Sequence, residues 1–241
     1  RYARTILKQV DAVEELFAHG DVSRKRFSLS APRASYIAEA FAQFSAKIGG
    51  DCEAEVFYRE TNSLQTIKNV QKEDYRLGII RFSEENDRYY RSLVEEKELT
   101  GVLVTEFRYV LVMRADSPLA ARESITRADL GDYMEIAHAD PSVPSLPIED
   151  GKKEETEDVP GRRIYVFERA SQFSLLAANP DTFMWVSPIP RALLDRYGLV
   201  ERECAGGIYK DVFIHRKDYT PTALDNAFLE ELIRVKRETI R

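Results

Sequence analysis

The chain has 241 residues, 44% of them hydrophobic and 32% charged, a balance typical of a folded globular protein rather than a disordered chain. Its formal net charge of −6 argues against a surface built throughout for nucleic acid, because phosphate binding needs a positive face. The sequence has no apolar run of about 18 residues for a membrane span. Cys52 and Cys204 are too few for a disulfide framework or a cysteine zinc site, and we expect a reducing, cytoplasmic location.

Residues 1–19 are predicted to form a helix that ends at Gly20. Its apolar residues recur at alternating steps of three and four: Ala3, Ile6, Val10, Val13 and Phe17. This narrow stripe has the a/d spacing of a short coiled coil and favours pairing with a second chain. A helix packed on its own domain would show the same spacing, so both interpretations stay open at this point.

Strands and helices then alternate as far as residue 113. The predicted strands are 27–31, 54–58, 77–82, 102–105 and 109–113, and the helices begin at Ser35, at Thr61-Asn62-Ser63 and near Arg88. This β-α-β-α-β order with short turns predicts a parallel sheet with right-handed crossovers. The first helix should bury one face, formed by Ile37, Phe41, Phe44 and Ile48.

A second, smaller α/β unit is predicted after residue 114. Its expected elements are a capping box from Thr126 to Asp129, strands 134–138, 164–167 and 183–186, a helix capped by Ser171 and ended by a left-handed Asn179, and a helix from Pro190 to Gly198. The charged segment 149–158 is predicted to be a solvated loop. A strand at 212–215 and a helix starting at Thr220-Pro221 complete the chain.

The sequence offers no local signature of catalysis. His19, His138 and His215 are far apart, and no metal-ligand spacing, nucleophile elbow, P-loop or dinucleotide fingerprint occurs. His138 and Asp140 are close enough to share a metal, but no third ligand is evident and a loop histidine is usually just solvated. We expect no catalytic residue, no metal and no cofactor; an enzyme would need a catalytic set dispersed over loops.

Two loops follow the first two predicted strands and form a candidate ligand site. They are Pro32-Arg33-Ala34-Ser35 and Thr61-Asn62-Ser63. Ligands of open parallel sheets lie beyond the carboxyl ends of the strands, and free N–H groups at a helix start favour a small anion such as a carboxylate. Arg33 could pair with a carboxylate through two parallel hydrogen bonds. The alternative is that Ser35, Asn62 and Ser63 are ordinary helix caps and that Arg33 faces solvent.

The second unit offers further candidates. Asp140-Pro141-Ser142 follow a predicted strand, and Trp185 lies near the end of another. Because side chains alternate along a strand, either Trp185 or Met184 faces the cleft between the units, and Trp185 would otherwise be a core residue.

In this order the elements and motifs resemble the effector-binding half of LysR-type transcriptional regulators. Three segments match in the first half: 26–31 as the first strand, 58–63 as a strand and its Glu-Gly-Asn-Ser turn, and 74–79 as an acidic residue followed by the Leu-Gly-Ile strand. The others are 109–112 with 117–120 as a strand and the His-Pro-Leu-Ala motif, 129–130 as Asp-Leu, and 175–179 as the Leu-Val-Ala-Ala-Gly end of a helix. The chain departs from the family pattern at Thr61 and Asn179, where glycine is usual, and at Ser117, where histidine is usual. A threonine at the first site would adopt a left-handed conformation only with strain.

The resemblance implies an α/β fold of two Rossmann-like subdomains of the type 2 periplasmic-binding-protein class. Subdomain I would comprise 24–112 and 209–241, and subdomain II 113–208. Two crossover strands near Met113 and Ile208 would join them, and a linker and dimerisation helix at 1–23 would precede them. The family's winged helix-turn-helix would lie before Arg1.

By the same resemblance, the chain would sense a small metabolite in the cleft between the subdomains. The two loops named above and loops of subdomain II would contact it, and its binding would alter the arrangement of DNA-binding domains in a homodimer or tetramer. Two alternatives are a free-standing solute-binding protein, which a strict monomer would favour, and an enzyme built on this fold, which would need an essential group such as Asp140 or Cys204 in the cleft.

Overall fold

The computed structural model describes residues 25–49, 53–138, 162–204 and 206–240. The predicted helix at 1–19 and the charged segment 149–158 lie outside these residues. The strands within them are β1 (Lys25–Ala31), β2 (Ala54–Glu60), β3 (Leu77–Ser83), β4 (Leu99–Arg108), β5 (Val110–Arg114), β6 (Met134–His138), β7 (Arg163–Val166), β8 (Thr182–Val186), β9 (Leu199–Arg202) and β10 (Ile208–Arg216). The α-helices are α1 (Ser35–Ser45), α2 (Ser63–Gln71), α3 (Asp87–Glu96), α4 (Ala170–Ala178), α5 (Arg191–Tyr197) and α6 (Ala223–Thr239).

The first sheet has the order β2-β1-β3-β10-β4. β1 pairs in parallel with both β2 and β3, as the alternation of strands and helices predicts. β10 inserts between β3 and β4 and runs antiparallel to both. Local pattern could not place this strand, because its partners lie about a hundred residues or more away along the chain.

The second sheet repeats this arrangement with the order β7-β6-β8-β5-β9. β6 pairs in parallel with β7 and β8, whereas β5 runs antiparallel to β8 and β9. The chain therefore passes from the first sheet to the second at Tyr109, between β4 and β5, rather than at the expected Met113. It returns after β9 and enters β10 at Ile208, close to the expected position.

Helices cover both faces of the first sheet. On one face α1 packs against α6, and the rings of Phe27, Phe44 and Phe228 lie 4.6 to 5.7 Å apart. Ile37 and Phe44 of the predicted apolar face of α1 are fully buried, and Phe41 and Ile48 pack against the same cluster. On the other face, α2 and α3 cover β3, whose side chains are buried on both sides as its apolar sequence predicts.

The second sheet is also covered on both faces. α4 and α5 contribute Phe173, Leu176 and Leu194 to the cluster on one side. The segment between β5 and β6 covers the other side with Leu119, Leu130 and their neighbours. Each sheet thus has its own core, which is the two-subdomain α/β architecture that the sequence predicts.

The helix starts differ from the predictions by one or two residues. Ala34 rather than Ser35 is the N-cap of α1, and no side chain caps it. α4 begins at Ala170, and the N–H of Ser171 donates to the carboxylate of Glu168 instead of Ser171 acting as the cap. Thr222, not Thr220-Pro221, caps α6, because its hydroxyl and Asp225 form a reciprocal capping box.

The helix ends are partly as predicted. The capping box of Thr126 and Asp129 is present, and Gly198 ends α5 in the left-handed conformation with φ of 63°. Asn179 is extended, with φ of −130°, rather than left-handed. Its side-chain oxygen instead accepts a hydrogen bond from the N–H of Asp181, and this turn makes a left-handed residue unnecessary.

Gly78, in the Leu-Gly-Ile segment of β3, allows α2 to approach the sheet. A Cβ there would lie 2.8 Å from methyl or methylene carbons of Ile214 and Thr66 and 2.9 Å from Val70. We predict that Gly78→Ala lowers the free energy of unfolding by about 1–3 kcal/mol, because overpacking forces the helix off the strand. Urea denaturation checks this. Gly207→Ala is the matched control, since nothing lies within 4 Å of its Cβ; equal losses in both variants would contradict the explanation.

Candidate functional site

The two predicted loops meet at one edge of the first sheet. β1 and β2 are parallel and in register, with Ala31 opposite Glu60, so both strands end at the same level. The N–H of Thr61 donates to the carbonyl of Ala31 at 2.8 Å and ties the two loop starts together. The segments 32–35 and 61–63 therefore lie side by side, as expected for the carboxyl edge of a parallel sheet.

Three arginine contacts join this edge to the second subdomain. Nη2 of Arg33 donates to the carbonyl of Phe167 at 2.9 Å. Nε of Arg169 donates to Glu60 at 2.8 Å, and Nη1 of Arg81 donates to the Ser187 hydroxyl at 3.2 Å. Phe167, Arg169 and Ser187 come just after β7 and β8. We call the space that these contacts bridge the cleft.

Arg81 and Asp211 form a buried ion pair at the base of the cleft. Nε and Nη2 of Arg81 donate to the two carboxylate oxygens of Asp211 at 2.8 and 2.7 Å, and the side chains are 8% and 0% exposed. Asp211 also accepts from the hydroxyl of Tyr36 at 2.5 Å. Burial disfavours the charged guanidinium, but the Asp211 carboxylate outweighs it and raises the pKa of Arg81. Burial, and then Asp211, raise the pKa of Tyr36, which therefore remains a donor.

Aromatic rings from the crossover region surround the Arg81 guanidinium. Its central carbon lies 4.6 Å from the ring centre of Phe107 and 5.9 Å from that of Tyr109. Tyr109 in turn contacts Tyr209 edge to face, with ring centres 4.4 Å apart. Because Tyr109 and Tyr209 belong to the two passages between the sheets, Arg81 contacts the point about which the subdomains would move.

Glu60, which pairs with Arg169 across the cleft, is also held by Tyr58 of its own strand. It accepts a hydrogen bond from the hydroxyl of Tyr58 at 3.1 Å as well as the one from Arg169. Burial, and then the neighbouring Glu60 carboxylate, raise the pKa of Tyr58, so its hydroxyl stays protonated and donating. The Glu60–Arg169 ion pair is only partly exposed, with side chains 17% and 24% accessible.

The predicted residues of the first loop occupy different environments. Pro32, Ala34 and Ser35 are buried, and Arg33 is half-buried and bridges the cleft. In the second loop Thr61 and Asn62 are half-buried, and the Asn62 side chain caps α2 by accepting from the N–H of Gln65 at 2.9 Å. The left-handed non-glycine residues of the described chain are Glu73 and Glu98, so Thr61 replaces the expected glycine without strain.

The hydroxyl of Ser63 is engaged in the scaffold. It donates to the carbonyl of Arg81 at 2.7 Å and accepts from the N–H of Arg81 at 2.8 Å. Trp185 is half-buried and packs against the second-sheet cluster that contains Leu111 and Phe183. Asp140, Pro141 and Ser142 lie outside the described residues. The role of each of these residues in ligand binding remains a prediction.

Sequence reasoning missed Arg81, Asp211, Tyr36, Glu60 and Arg169. A weak signal existed for two of them, because Arg81 and Asp211 are charged residues inside otherwise apolar strand sequences. Ionised side chains are rarely buried unless they are paired. That pattern predicts a partner for each residue, but local sequence does not say which one.

Within the part of the chain that the structure describes, no three histidine, cysteine or acidic side chains converge to form a possible metal site. No helix there is both long enough and apolar enough to cross a membrane.

No protein-family model and no curated protein matches the sequence, but solved structures share its fold. The regulatory domain of MetR, a LysR-family regulator from N. meningitidis, has a TM-score of 0.56 at 14% identity, over 90% of this chain and 95% of that one. The effector-binding domain of QuiR in complex with shikimate has a TM-score of 0.54 at 17% identity, and the match covers 92% of this chain and 100% of that one. The Synechocystis CcmR regulatory domain in complex with 2-PG has a TM-score of 0.54 at 17% identity, and the match covers 88% of this chain and 96% of that one.

These likenesses confirm the predicted fold. The chain has the two-subdomain, periplasmic-binding-protein-like architecture of the effector-binding domains of LysR-type regulators, and the match extends over nearly all of both chains.

Removing one partner of the buried pair should destabilise the protein strongly. We predict that Asp211→Ala lowers the free energy of unfolding by about 3–5 kcal/mol, because the Arg81 charge is left buried and unpaired. The double variant Arg81→Met with Asp211→Leu should lose less, since it leaves no buried charge. Urea denaturation measures both. An Asp211→Ala loss below about 1 kcal/mol, or a double variant less stable than the single one, would contradict this account.

The loop that carries Ser187 supplies a pH prediction. The carboxylate of Glu201 accepts from the N–H of Ile189 in that loop. Burial raises the pKa of Glu201 despite this hydrogen bond. A raised carboxyl pKa means that ionisation opposes folding above the folded-state pKa and has no effect below the unfolded-state value of about 4.3.

Glu201→Gln keeps an oxygen acceptor and removes this charge. We expect the variant to melt at a higher temperature than the parent at pH 7 and expect the difference to shrink toward pH 4. Calorimetry across that range tests the sign. A variant that is less stable at pH 7 by an amount that does not change with pH would refute the assignment.

Proposed function

We propose that this chain is the effector-sensing and oligomerisation domain of a bacterial LysR-type transcriptional regulator. The observation that carries the proposal is the cleft, where Arg33, Arg81 and Arg169 contact the opposite subdomain in a fold shared with ligand-binding regulatory domains. The structural neighbours are regulator domains, which supports a regulatory rather than a catalytic role. Such a regulator acts in the cytoplasm and needs no cofactor.

The ligand that we propose for the cleft is a small carboxylate. Three guanidinium groups lie at the cleft: those of Arg81 and Arg169, paired with Asp211 and Glu60, and that of Arg33, which donates to the carbonyl of Phe167. The cap of α1, Ala34, offers no side-chain acceptor to the first-turn N–H groups. An anion placed there would meet the positive end of α1 beside a guanidinium that can form two parallel hydrogen bonds.

The proposed contacts extend over both subdomains. They comprise Pro32, Arg33, Ala34 and Ser35 of the first loop, Thr61, Asn62 and Ser63 of the second, and Asp140, Pro141, Ser142 and Trp185 of subdomain II.

Ligand binding would act through the closure of the cleft. Opening it breaks the Arg33–Phe167, Arg169–Glu60 and Arg81–Ser187 contacts, and a ligand held by both subdomains opposes that opening. The shift can be only as large as the ligand's difference in affinity between the two states. In a dimer or tetramer it would change the spacing of the winged helix-turn-helix domains, through which alone the regulator would touch DNA.

A thermal-shift screen against small carboxylates, amino acids and shikimate tests the proposal. A ligand at 100 times its dissociation constant stabilises by about 2.7 kcal/mol, which corresponds to roughly 5–10 °C for a chain of this size. Arg33→Ala and Arg169→Ala should each reduce the shift. Arg237→Ala, an exposed arginine on α6, is the matched control and should retain it.

The outcomes separate the candidate functions. A shift unchanged in both cleft variants would place the ligand outside the cleft and contradict the proposed site. Light scattering gives the oligomeric state, and a ligand-binding protein that remains a strict monomer would favour the free-standing solute-binding alternative.

A further inference from the structure

A cavity of about 410 Å³ lies in the first subdomain, between α3 and the sheet. Its floor is formed by Ile80 and Phe82 of β3 and Val212 of β10, and its wall by Tyr90 and Val94 of α3. Its volume is within the range of small-molecule sites. None of these residues takes part in the cleft contacts described above.

The cavity lies beside α3, which packs chiefly along the edge strand β4 and also contacts β3. Tyr90 stacks on Phe82 with ring centres 4.7 Å apart and holds α3 over the middle of the sheet. On β4, Gly101 and Leu103 line the cavity, and Leu103 is 54% exposed. A Cβ on Gly101 would lie 3.3 Å from Val212 and 3.4 Å from Val94, so α3 packs closely on β4 at this position and a side chain there would displace both valines.

The cavity lining follows one strand and one helix. Leu99, Gly101 and Leu103 share one face of β4, and the four residue steps from the first to the last span about 13 Å. On α3 the lining residues Asp87, Tyr90, Arg91, Val94 and Glu95 recur at helical spacing along the same direction. This shape fits an extended chain better than a compact ring system.

The two ends of the cavity differ in charge. At one end the Lys210 ammonium is 10% exposed and lies 3.1, 3.4 and 4.0 Å from the carboxylates of Asp87, Glu106 and Glu84. It is therefore already neutralised. At the other end Lys217 is 48% exposed and lies 3.5 Å from Glu98, which is 81% exposed. An exposed pair of this kind is weak, so Lys217 can exchange Glu98 for a ligand carboxylate.

We propose that this cavity is a second ligand site and takes a straight-chain amphipathic carboxylate, with the chain on the apolar floor and the carboxylate at Lys217. The site is distinct from the cleft, because its lining side chains make none of the cleft contacts, although its floor shares strands β3 and β10 with them. The third cation of the lining, Arg91, is held by Asp87 at 2.6 Å. Lys217, 3.5 Å from Glu98, is therefore the cation that re-pairs most easily, and the floor offers apolar contact to a tail.

Isothermal titration of the chain with decanoate, octanoate and hexanoate tests the proposal. Affinity should rise about fourfold for each methylene added, as expected for burial of the chain. Decyltrimethylammonium, with an apolar tail and the opposite charge, should bind more weakly than decanoate. No binding of decanoate, an affinity independent of chain length, or equal binding of the cation would each overturn the proposal.

Two neighbouring residues of β4 supply a matched pair of variants. Leu103→Glu places a carboxylate on the lining and should weaken decanoate binding at least about tenfold. Val102→Glu makes the same change on the opposite face of the strand, at 55% exposure, and should leave the affinity unchanged. Equal losses in the two variants would refute the site.

Two further variants address the floor and the anchor. Gly101→Val should displace Val94 and Val212, reshape the floor and weaken binding, with the urea midpoint recorded to show that the fold is kept. Lys217→Gln should weaken binding about threefold, the loss of one exposed ion pair, whereas Lys97→Gln, outside the lining, should not. Full affinity in both Gly101→Val and Lys217→Gln would place decanoate elsewhere.

Discussion

The guanidinium of Arg81 lies under both passages between the subdomains, paired with Asp211 where little water reaches. One side chain thereby joins β3, β10, the aromatic residues Phe107 and Tyr109, and Ser187 of the second subdomain. A buried charge needs a partner with good geometry, and the bidentate contact supplies it. Since Tyr36 of α1 also donates to Asp211, the pair fixes the first helix relative to the sheet as well.

Around this pair the two subdomains keep separate cores. Phe27, Phe44 and Phe228 pack on one face of the first sheet, and the second sheet has its own apolar clusters. The described contacts across the cleft are polar: Arg33 to Phe167, Arg169 to Glu60, and Arg81 to Ser187. An interface made this way opens without exposing a core, because separate cores stay intact on both sides. That property suits a domain whose proposed task is to change the angle between two halves.

The two candidate ligand sites follow from different features of the same topology. The cleft arises where parallel strands β1 and β2 end together beneath the second subdomain. The cavity lies between α3 and strands β3, β10 and β4. The first is lined by polar loops and helix starts and suits a small anion. The second has an apolar floor bordered by charged side chains and suits an apolar chain with a charge at one end.

The sequence by itself determined the two α/β units and the parallel pairing of β1 with β2 and β3. It also determined the apolar face of α1 and the adjacency of the loops 32–35 and 61–63. Those features follow from local periodicity and from the rule that parallel strands end at one edge. The tertiary structure decided the insertion of β10, the passage between sheets at Tyr109, and the pairing of Arg81 with Asp211, 130 residues apart. It also decided that the Ser63 hydroxyl forms hydrogen bonds with the backbone of Arg81 in β3. Local patterns could not supply these, because each depends on which distant segment folding brings alongside.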